Sequence, residues 1–230
     1  MATRKKQQQD ETLIDISKAG GQAKDYFARN QKMIVGVVAG IAILIGGYFA
    51  YTTLYKAPRD QKAVEQMYMA EFQFGKDSFQ LALDNPGGGF DGFLAIIDKY
   101  SGTKSANLAK YYAGICYLNL RQPDEAIKYL NDFSPKGNII PIMKYGALGD
   151  AYSEKEDFEK AISLYEKASK TGDDDILTPY YLKKLGMLQE RQGNKKAGLQ
   201  AYEQIKAKYP SSVEASAIEK YIARVSASIE

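Results

Sequence analysis

The feature that most constrains the fold is a pattern of small and large side chains that recurs three times, at intervals of 35 and 37 residues. Each copy has a small residue, a polar or aromatic residue three positions later, a second small residue twelve later and a large residue sixteen later. The copies are Gly114, Tyr117, Ala126 and Leu130; Gly149, Tyr152, Ala161 and Tyr165; and Gly186, Gln189, Gly198 and Tyr202. A glycine inside a helix costs about 0.5–1 kcal/mol relative to alanine. Its repetition therefore predicts close helix crossings, with the large residue filling the space between neighbouring hairpins.

These spacings resemble the tetratricopeptide repeat, whose consensus carries a small residue in each of two helices, a tyrosine after the first and a proline at the end. The match is good in the second copy and weaker in the third, which has Gln189 in place of the tyrosine but ends at Pro210. The resemblance implies an all-α, right-handed solenoid of stacked helical hairpins. The alternative is an unrelated antiparallel helical bundle. If Gly149 marks a close helix crossing, Gly149→Leu is predicted to overpack the hairpin, whereas Gly149→Ala is predicted to destabilise it far less.

A second constraint is the run Met33–Tyr55, which has 23 residues and no charge. As a helix it would be about 34 Å long, enough to cross the hydrocarbon core of a bilayer. Tyr48, Tyr51 and Tyr55 stand at its second end, where aromatic rings favour the membrane interface. The alternative is a cleaved signal peptide, which the length of the run and its start after 32 residues disfavour. The run therefore predicts one transmembrane helix.

The charge distribution predicts the orientation of that helix. Residues 1–32 contain seven Lys and Arg against four Asp and Glu, so they hold the whole formal net charge of +3. Only Lys56, Arg59 and Lys62 follow the apolar run closely. Positive charge favours the cytoplasmic side, which predicts a cytoplasmic N-terminus and repeats outside the cytoplasm. The remainder of the chain is electrically neutral, which excludes the electrostatic footprint of a nucleic-acid partner.

The residue inventory argues against catalysis. The chain has no histidine and a single cysteine, Cys116, so neither Ser/His nor Cys/His nucleophiles nor the usual zinc sites can be assembled. Cys116 is predicted to be a core residue. The glycine-rich stretch Asp84–Phe93 lacks the lysine of a phosphate-binding loop and is predicted to be a turn. The run Asp173–Asp175 lacks the ligand spacing of a calcium loop. We expect no enzyme activity, no cofactor or metal and no small-molecule substrate.

The chain is predicted to have five parts. They are a polar basic tail (1–32), a transmembrane helix (33–55), N-terminal helices of the solenoid (56–103), three tetratricopeptide-like repeats (104–210) and a C-terminal capping helix (211–230). Ser211 and Glu214 have the spacing of a capping box at the start of the last part. Such a helix would close the exposed end of a solenoid.

The resemblance also implies a binding groove on the concave side, which the first helix of each hairpin lines. Its predicted inward residues are Leu108, Tyr111, Ile115, Leu118 and Asn119 from the first repeat, Met143, Gly146, Asp150, Ser153 and Glu154 from the second, and Tyr180, Lys183, Met187, Glu190 and Arg191 from the third. In chaperone-binding tetratricopeptide proteins, lysine and asparagine side chains form a clamp for a terminal carboxylate. Tyr111 and Ile115 occupy the positions at which that clamp would begin. A peptide, an unfolded segment or another subunit is therefore expected instead. Alternatively, several of these side chains merely fill the groove against the N-terminal helices.

The layout and the run Gly92–Leu120 are similar to those of the YfgM-type tetratricopeptide proteins of bacterial inner membranes. Those proteins are ancillary subunits of the SecYEG translocon that work with periplasmic chaperones. The resemblance implies a non-catalytic inner-membrane protein that receives or shields exported polypeptides and recruits chaperones. Two alternatives stay open: a membrane-tethered scaffold of another envelope complex, for secretion or the cell wall, and a cytoplasm-facing import receptor, which needs the opposite topology.

Overall fold

The computed structural model describes Tyr26 and residues 28–229, and these contain helices, turns and loops but no β-strand. The all-α prediction is confirmed. The chain divides into two compact units, Met1–Lys56 and Ala57–Glu230. Most of the predicted tail, residues 1–32, lies outside the described residues.

The first unit contains the predicted span. The helix Ala28–Phe74 is long and apolar enough to cross a membrane, with a mean hydropathy of 2.3 over its most apolar stretch and none of that stretch buried. Its first part, α1, covers residues 28–50 and is followed by a π-helical stretch, Tyr51–Lys56. Ile43 and Leu44 are 73 % and 74 % exposed. Such side chains suit a lipid environment, so this helix is compatible with a membrane anchor.

The second unit consists of consecutive helices. They are α2 (Ala57–Phe74), α3 (Phe79–Asp84), α4 (Phe93–Lys99), α5 (Lys104–Asn119), α6 (Pro123–Asp132), α7 (Ile140–Glu154), α8 (Phe158–Thr171), α9 (Leu177–Arg191), α10 (Lys195–Lys208), a 3-10 turn (Ala215–Ala217) and α11 (Ile218–Ser226). Helices α5–α6, α7–α8 and α9–α10 form three hairpins, whose first helices contain the three repeated glycines.

The three hairpins use the same turn. Seven positions after the repeated glycine, each chain reversal has a left-handed residue: Arg121 (φ 59°), Glu156 (φ 60°) and Gly193 (φ 82°). The next residue donates its backbone N–H to the carbonyl five positions back: Gln122 to Tyr117 (2.9 Å), Asp157 to Tyr152 (3.0 Å) and Asn194 to Gln189 (2.9 Å). This is the Schellman ending of a helix, which satisfies carbonyls that the helix leaves unpaired. The repeat is therefore structural and not only compositional.

Polar caps fix where the first hairpin begins and tie it to α2. The hydroxyl of Thr103 accepts a hydrogen bond from the backbone N–H of Ala106 at 3.1 Å, which caps α5. A carboxylate oxygen of Asp60 in α2 accepts from both the backbone N–H (2.9 Å) and the hydroxyl (2.7 Å) of Ser105. Helix α2 is thereby joined to the first repeat.

Cys116 lies in the apolar cluster formed by these N-terminal helices and α5. Its side chain is fully buried, together with Phe93 and Ile96. Burial raises the pKa of the Cys116 thiol to about 12. The thiol therefore stays protonated and unreactive, and the prediction of a core residue is confirmed.

The C-terminal helix starts later than the predicted boundary at residue 211. Helix α11 begins at Ile218, and the hydroxyl of Ser212, not that of Ser211, accepts a hydrogen bond from the backbone N–H of Ala215 at 3.2 Å. The predicted capping box is wrong, because residues 211–214 form a turn before a 3-10 segment. Ile218 and Val225 are fully buried against the third hairpin, so α11 covers its apolar face.

Candidate functional site

The repeated glycines allow a large side chain to cross the first helix of its own hairpin. A Cβ atom on Gly149 would lie 2.6 Å from Cδ1 and Cε1 of Tyr165. Corresponding distances are 2.5 Å from Gly114 to Cγ of Leu130 and 2.4 Å from Gly186 to Cε1 of Tyr202. The large residue therefore covers the glycine of its own hairpin. Tyr165 also stacks on Tyr181 of the next hairpin, at 6.2 Å between centroids, so the predicted inter-hairpin role describes only part of its packing.

A second glycine in α7 receives a tyrosine from the following hairpin. A Cβ atom on Gly146 would lie 1.9 Å from Cζ and 2.4 Å from the hydroxyl oxygen of Tyr181 in α9. Gly146 is buried beneath that ring. It therefore cannot offer the groove position that the repeat register assigned to it. The two glycines of α7 thus make room for one tyrosine each.

Asp150 connects these tyrosines to α9. The Tyr165 hydroxyl donates to Oδ1 of Asp150 at 2.6 Å, and Nζ of Lys184 donates to the same oxygen at 2.7 Å. Burial raises the pKa of Tyr165 above its usual range, and the Asp150 charge adds to the effect. Burial lowers the pKa of Lys184, but the Asp150 carboxylate outweighs it and the pKa is raised overall. These contacts join α7, α8 and α9 through one half-buried carboxylate.

A cavity of about 460 Å³ opens beside Asp150 and extends across the first helices of all three hairpins. It is lined by Ile115, Leu118, Asn119, Arg121, Asp150, Ser153, Glu154, Tyr165 and Lys184. One side is aliphatic and comes from α5, whereas the other is polar and comes mainly from α7. The structure thus brings six predicted groove residues together: Ile115, Leu118, Asn119, Asp150, Ser153 and Glu154.

An ion pair stands at the edge of the cavity. Arg121 Nη1 lies 2.5 Å from Oε1 of Glu154 and links the first hairpin turn to the end of α7. The Arg121 side chain is 81 % exposed, whereas that of Glu154 is 25 % exposed. Exposed ion pairs contribute about 0–1 kcal/mol. The guanidinium is therefore only weakly held at this carboxylate.

The other predicted groove residues do not line this cavity. Besides Gly146, they are Leu108, Tyr111, Met143, Tyr180, Lys183, Met187, Glu190 and Arg191. Leu108, Tyr180 and Met187 are 38 %, 40 % and 47 % exposed, as a docking face requires. Two cations lie over rings: Lys183 Nζ is 5.7 Å from the Tyr221 centroid, and the Arg191 guanidinium carbon is 4.9 Å from that of Phe158. Their part in partner binding stays a prediction.

Tyr111 is a half-buried member of the predicted groove residues. Its ring lies 5.4 Å from that of Phe133, and burial raises its pKa to about 12. Together with Ile115 and Leu118 it packs on a cluster whose buried members are Leu130, Ala147 and Leu148. This packing is against the first two hairpins, not the N-terminal helices that the alternative interpretation named. Ile115 and Leu118 therefore contribute to both the core and the cavity wall, whereas Tyr111 contributes to the core.

The groove prediction considered only the first helix of each hairpin, and it missed three residues that line the cavity. Tyr165 belongs to a second helix, and Arg121 lies in a turn. Lys184 neighbours the predicted Lys183, but only Lys184 reaches Asp150. One sequence signal was present: Asp150 and Lys184 are 34 residues apart, close to one repeat, which permits an ion pair between neighbouring hairpins.

Comparison with known families gives matches in the repeat region. A tetratricopeptide-repeat model matches residues 108–134 and 184–212, and a second tetratricopeptide-repeat model matches residues 145–195. No curated protein matches the chain. The matched segments contain Gly114, Gly149 and Gly186, so the hairpins are tetratricopeptide-like, as expected from the spacing. Repeats of this type mediate protein–protein interactions and are generally non-catalytic.

Proposed function

We propose that this protein is a membrane-anchored, non-catalytic receptor for polypeptide segments, which it binds in the groove formed by α5, α7 and α9. The observation that carries the proposal is the cavity that crosses these three helices, with an aliphatic wall and two carboxylates, those of Asp150 and Glu154. A cleft of this kind suits an extended or helical segment with apolar anchors. Exposed Leu108 and Met187 extend the apolar surface beyond the cavity.

The same layout supports a specific cellular setting. The similarity of Gly92–Leu120 and of the overall arrangement to YfgM-type proteins favours the bacterial inner membrane, with association to the SecYEG translocon and to periplasmic chaperones or exported polypeptides. The apolar helix provides the anchor, and the basic residues before it favour a cytoplasmic N-terminus. The repeats would then meet segments as they leave the translocon.

Topology provides a direct test of this setting. A reporter that is active only outside the cytoplasm, fused after Glu230, is expected to be active because the basic excess precedes Met33. Protease added to spheroplasts should digest the repeats and spare the N-terminal tail. Protection of the repeats would favour the import-receptor alternative instead.

Groove variants test partner binding in cells. Leu108→Glu combined with Met187→Glu is expected to reduce crosslinks to bound polypeptides at least ~10-fold, because each change removes apolar burial and places a charge in the contact. Both side chains are partly exposed, so the helical circular dichroism should not change. Val213→Glu is the matched control, since Val213 is 84 % exposed and borders a separate cavity beside Ile176.

Unaltered crosslinks in the double variant would exclude this face as the binding surface. Purification in mild detergent then distinguishes the remaining settings. Recovery of another secretion or cell-wall complex in place of the translocon would support the scaffold alternative, without changing the role of the groove.

A further inference from the structure

We propose that the cavity beside Asp150 anchors a lysine or arginine side chain of the bound polypeptide. This inference rests on the proposed function, because it names the chemistry that the groove selects. The anchor would lie between the carboxylates of Asp150 and Glu154 on one side and the aliphatic side chains of Ile115 and Leu118 on the other.

The two carboxylates have acceptor capacity to spare. Oδ1 of Asp150 accepts hydrogen bonds from Tyr165 and Lys184, and Oε1 of Glu154 accepts one from Arg121. Within residues 28–229, no protein group donates a hydrogen bond to Oδ2 of Asp150 or Oε2 of Glu154. The two residues are four apart on α7, so they share one face with Cβ atoms about 5–6 Å apart. That separation lets one ammonium or guanidinium group bind both carboxylates.

The opposite wall suits the stem of the same side chain. Ile115 and Leu118 present half-buried aliphatic surface from α5. Lysine and arginine carry three or four methylene groups that pack on apolar surface while the charged end stays among polar groups. A purely aliphatic side chain would bring no donor to Oδ2 of Asp150 or Oε2 of Glu154, and a short polar one would not cover the aliphatic wall.

The cations already in the cavity decide between a basic and an acidic ligand. Lys184 is 31 % exposed and is engaged by Asp150, so it has little freedom to receive an anion. Arg121 is 81 % exposed, and its pairing with Glu154 resembles the contact that a partner's cation would make. We therefore assign Arg121 the role of a displaceable competitor for Glu154. An acidic ligand would require the reverse, with Arg121 as its main binding residue.

This difference gives a test in which the two ligand classes predict opposite signs. Fluorescently labelled glycine–serine peptides, each with two leucines flanking lysine, glutamate or serine, are titrated with the full chain in a neutral detergent, and binding is followed by fluorescence anisotropy. The lysine peptide is expected to bind at least ~10-fold more tightly than the glutamate peptide. Glu154→Gln should reduce that preference several-fold, whereas Arg121→Gln should increase it by removing the competitor.

Four outcomes would overturn the inference: no binding of the lysine peptide, tighter binding of the glutamate peptide, equal binding of all three peptides, or weaker lysine-peptide binding in Arg121→Gln. Failure of the proposed function has a different signature, because the groove crosslinks in cells would then survive Leu108→Glu with Met187→Glu. Equal binding of all three peptides, abolished by that double variant, would retain the groove and reject the cationic preference. Glu154→Gln preserves shape and lies at the cavity edge, so circular dichroism should confirm that it folds.

Discussion

Replacing Gly146 with alanine is expected to destabilise the repeats by about 3 kcal/mol, although alanine is the better helix former. The added Cβ would lie 1.9 Å from Cζ of Tyr181, a distance at which one of the two must move. Tyr181 is only 7 % exposed and stacks on Tyr165, so its ring has no free space to enter. Overpacking typically destabilises a protein by about 1–3 kcal/mol and occasionally more. This outweighs the roughly 0.5–1 kcal/mol by which the higher helix propensity of alanine would stabilise the helix.

Gly149→Ala is expected to be damaging as well, by about 1–2 kcal/mol, and Gly149→Leu by more. The repeat pattern alone predicts that alanine is far milder at this position. The structure changes that expectation, because the ring of Tyr165 lies 2.6 Å from where the methyl group would be and is held by its hydrogen bond to Asp150. An alanine therefore already meets the obstacle that leucine would meet.

Thermal unfolding of the full chain in mild detergent, followed by circular dichroism, measures both effects. Gly75→Ala is the matched control, since a Cβ there would meet its nearest atoms at 3.6 Å, an ordinary contact. The control should have the same melting temperature as the natural protein, and Gly146→Ala should have a much lower one. An unchanged melting temperature for Gly146→Ala would mean that the Tyr181 ring does not cross α7 in solution.

Alkaline pH is expected to unfold the repeats steeply once the pH passes about 10. Burial raises the pKa of Tyr165, Tyr181 and Tyr202 well above the ordinary value near 10. Between the unfolded and the folded pKa, the unfolded chain has lost these protons and the folded chain keeps them. The unfolded state then binds fewer protons, so stability falls as pH rises, by about 1.4 kcal/mol per pH unit for each tyrosine and roughly 4 kcal/mol for all three.

The stabilising contribution of the buried, protonated tyrosines is complete below pH about 10 and is lost above it. Lys184 acts in the same direction, since its pKa is also raised and its pairing with Asp150 weakens when it loses its proton. Tyrosinate absorbance and far-ultraviolet circular dichroism, recorded together during titration, check the prediction. Tyr165, Tyr181 and Tyr202 should ionise only as helicity is lost.

Tyr165→Phe is the informative variant for this titration. It removes one ionisable group, so the fall in stability should become shallower by about 1.4 kcal/mol per pH unit. It also removes the hydrogen bond to Asp150, which should lower stability at neutral pH by about 1 kcal/mol. Ionisation of all tyrosines near pH 10 with full retention of helicity would contradict the packing of these rings.

The sequence by itself determined the helical class, the repeated hairpin, the core position of Cys116 and the apolar helix. Each of these depends on local chemistry: the 3.6-residue period, the small residues at fixed spacing, and an uncharged run long enough to span a bilayer. The same reasoning excluded histidine-based catalysis, because no arrangement of the chain can supply an absent residue. Groove residues on α5 and α7 could be named from the repeat register, and six of them do meet at one cavity: Ile115, Leu118, Asn119, Asp150, Ser153 and Glu154.

Only the tertiary structure decided which side chains complete that cavity. Tyr165 enters from a second helix because Gly149 leaves its path open, Tyr181 covers Gly146, and Lys184 rather than Lys183 reaches Asp150. These contacts join residues that are 15 to 35 positions apart, so they depend on how each helix is rotated and at what angle it crosses its neighbour. Rotation and crossing angle are set by the packing of all the ridges and grooves between hairpins, and no single repeat contains that information.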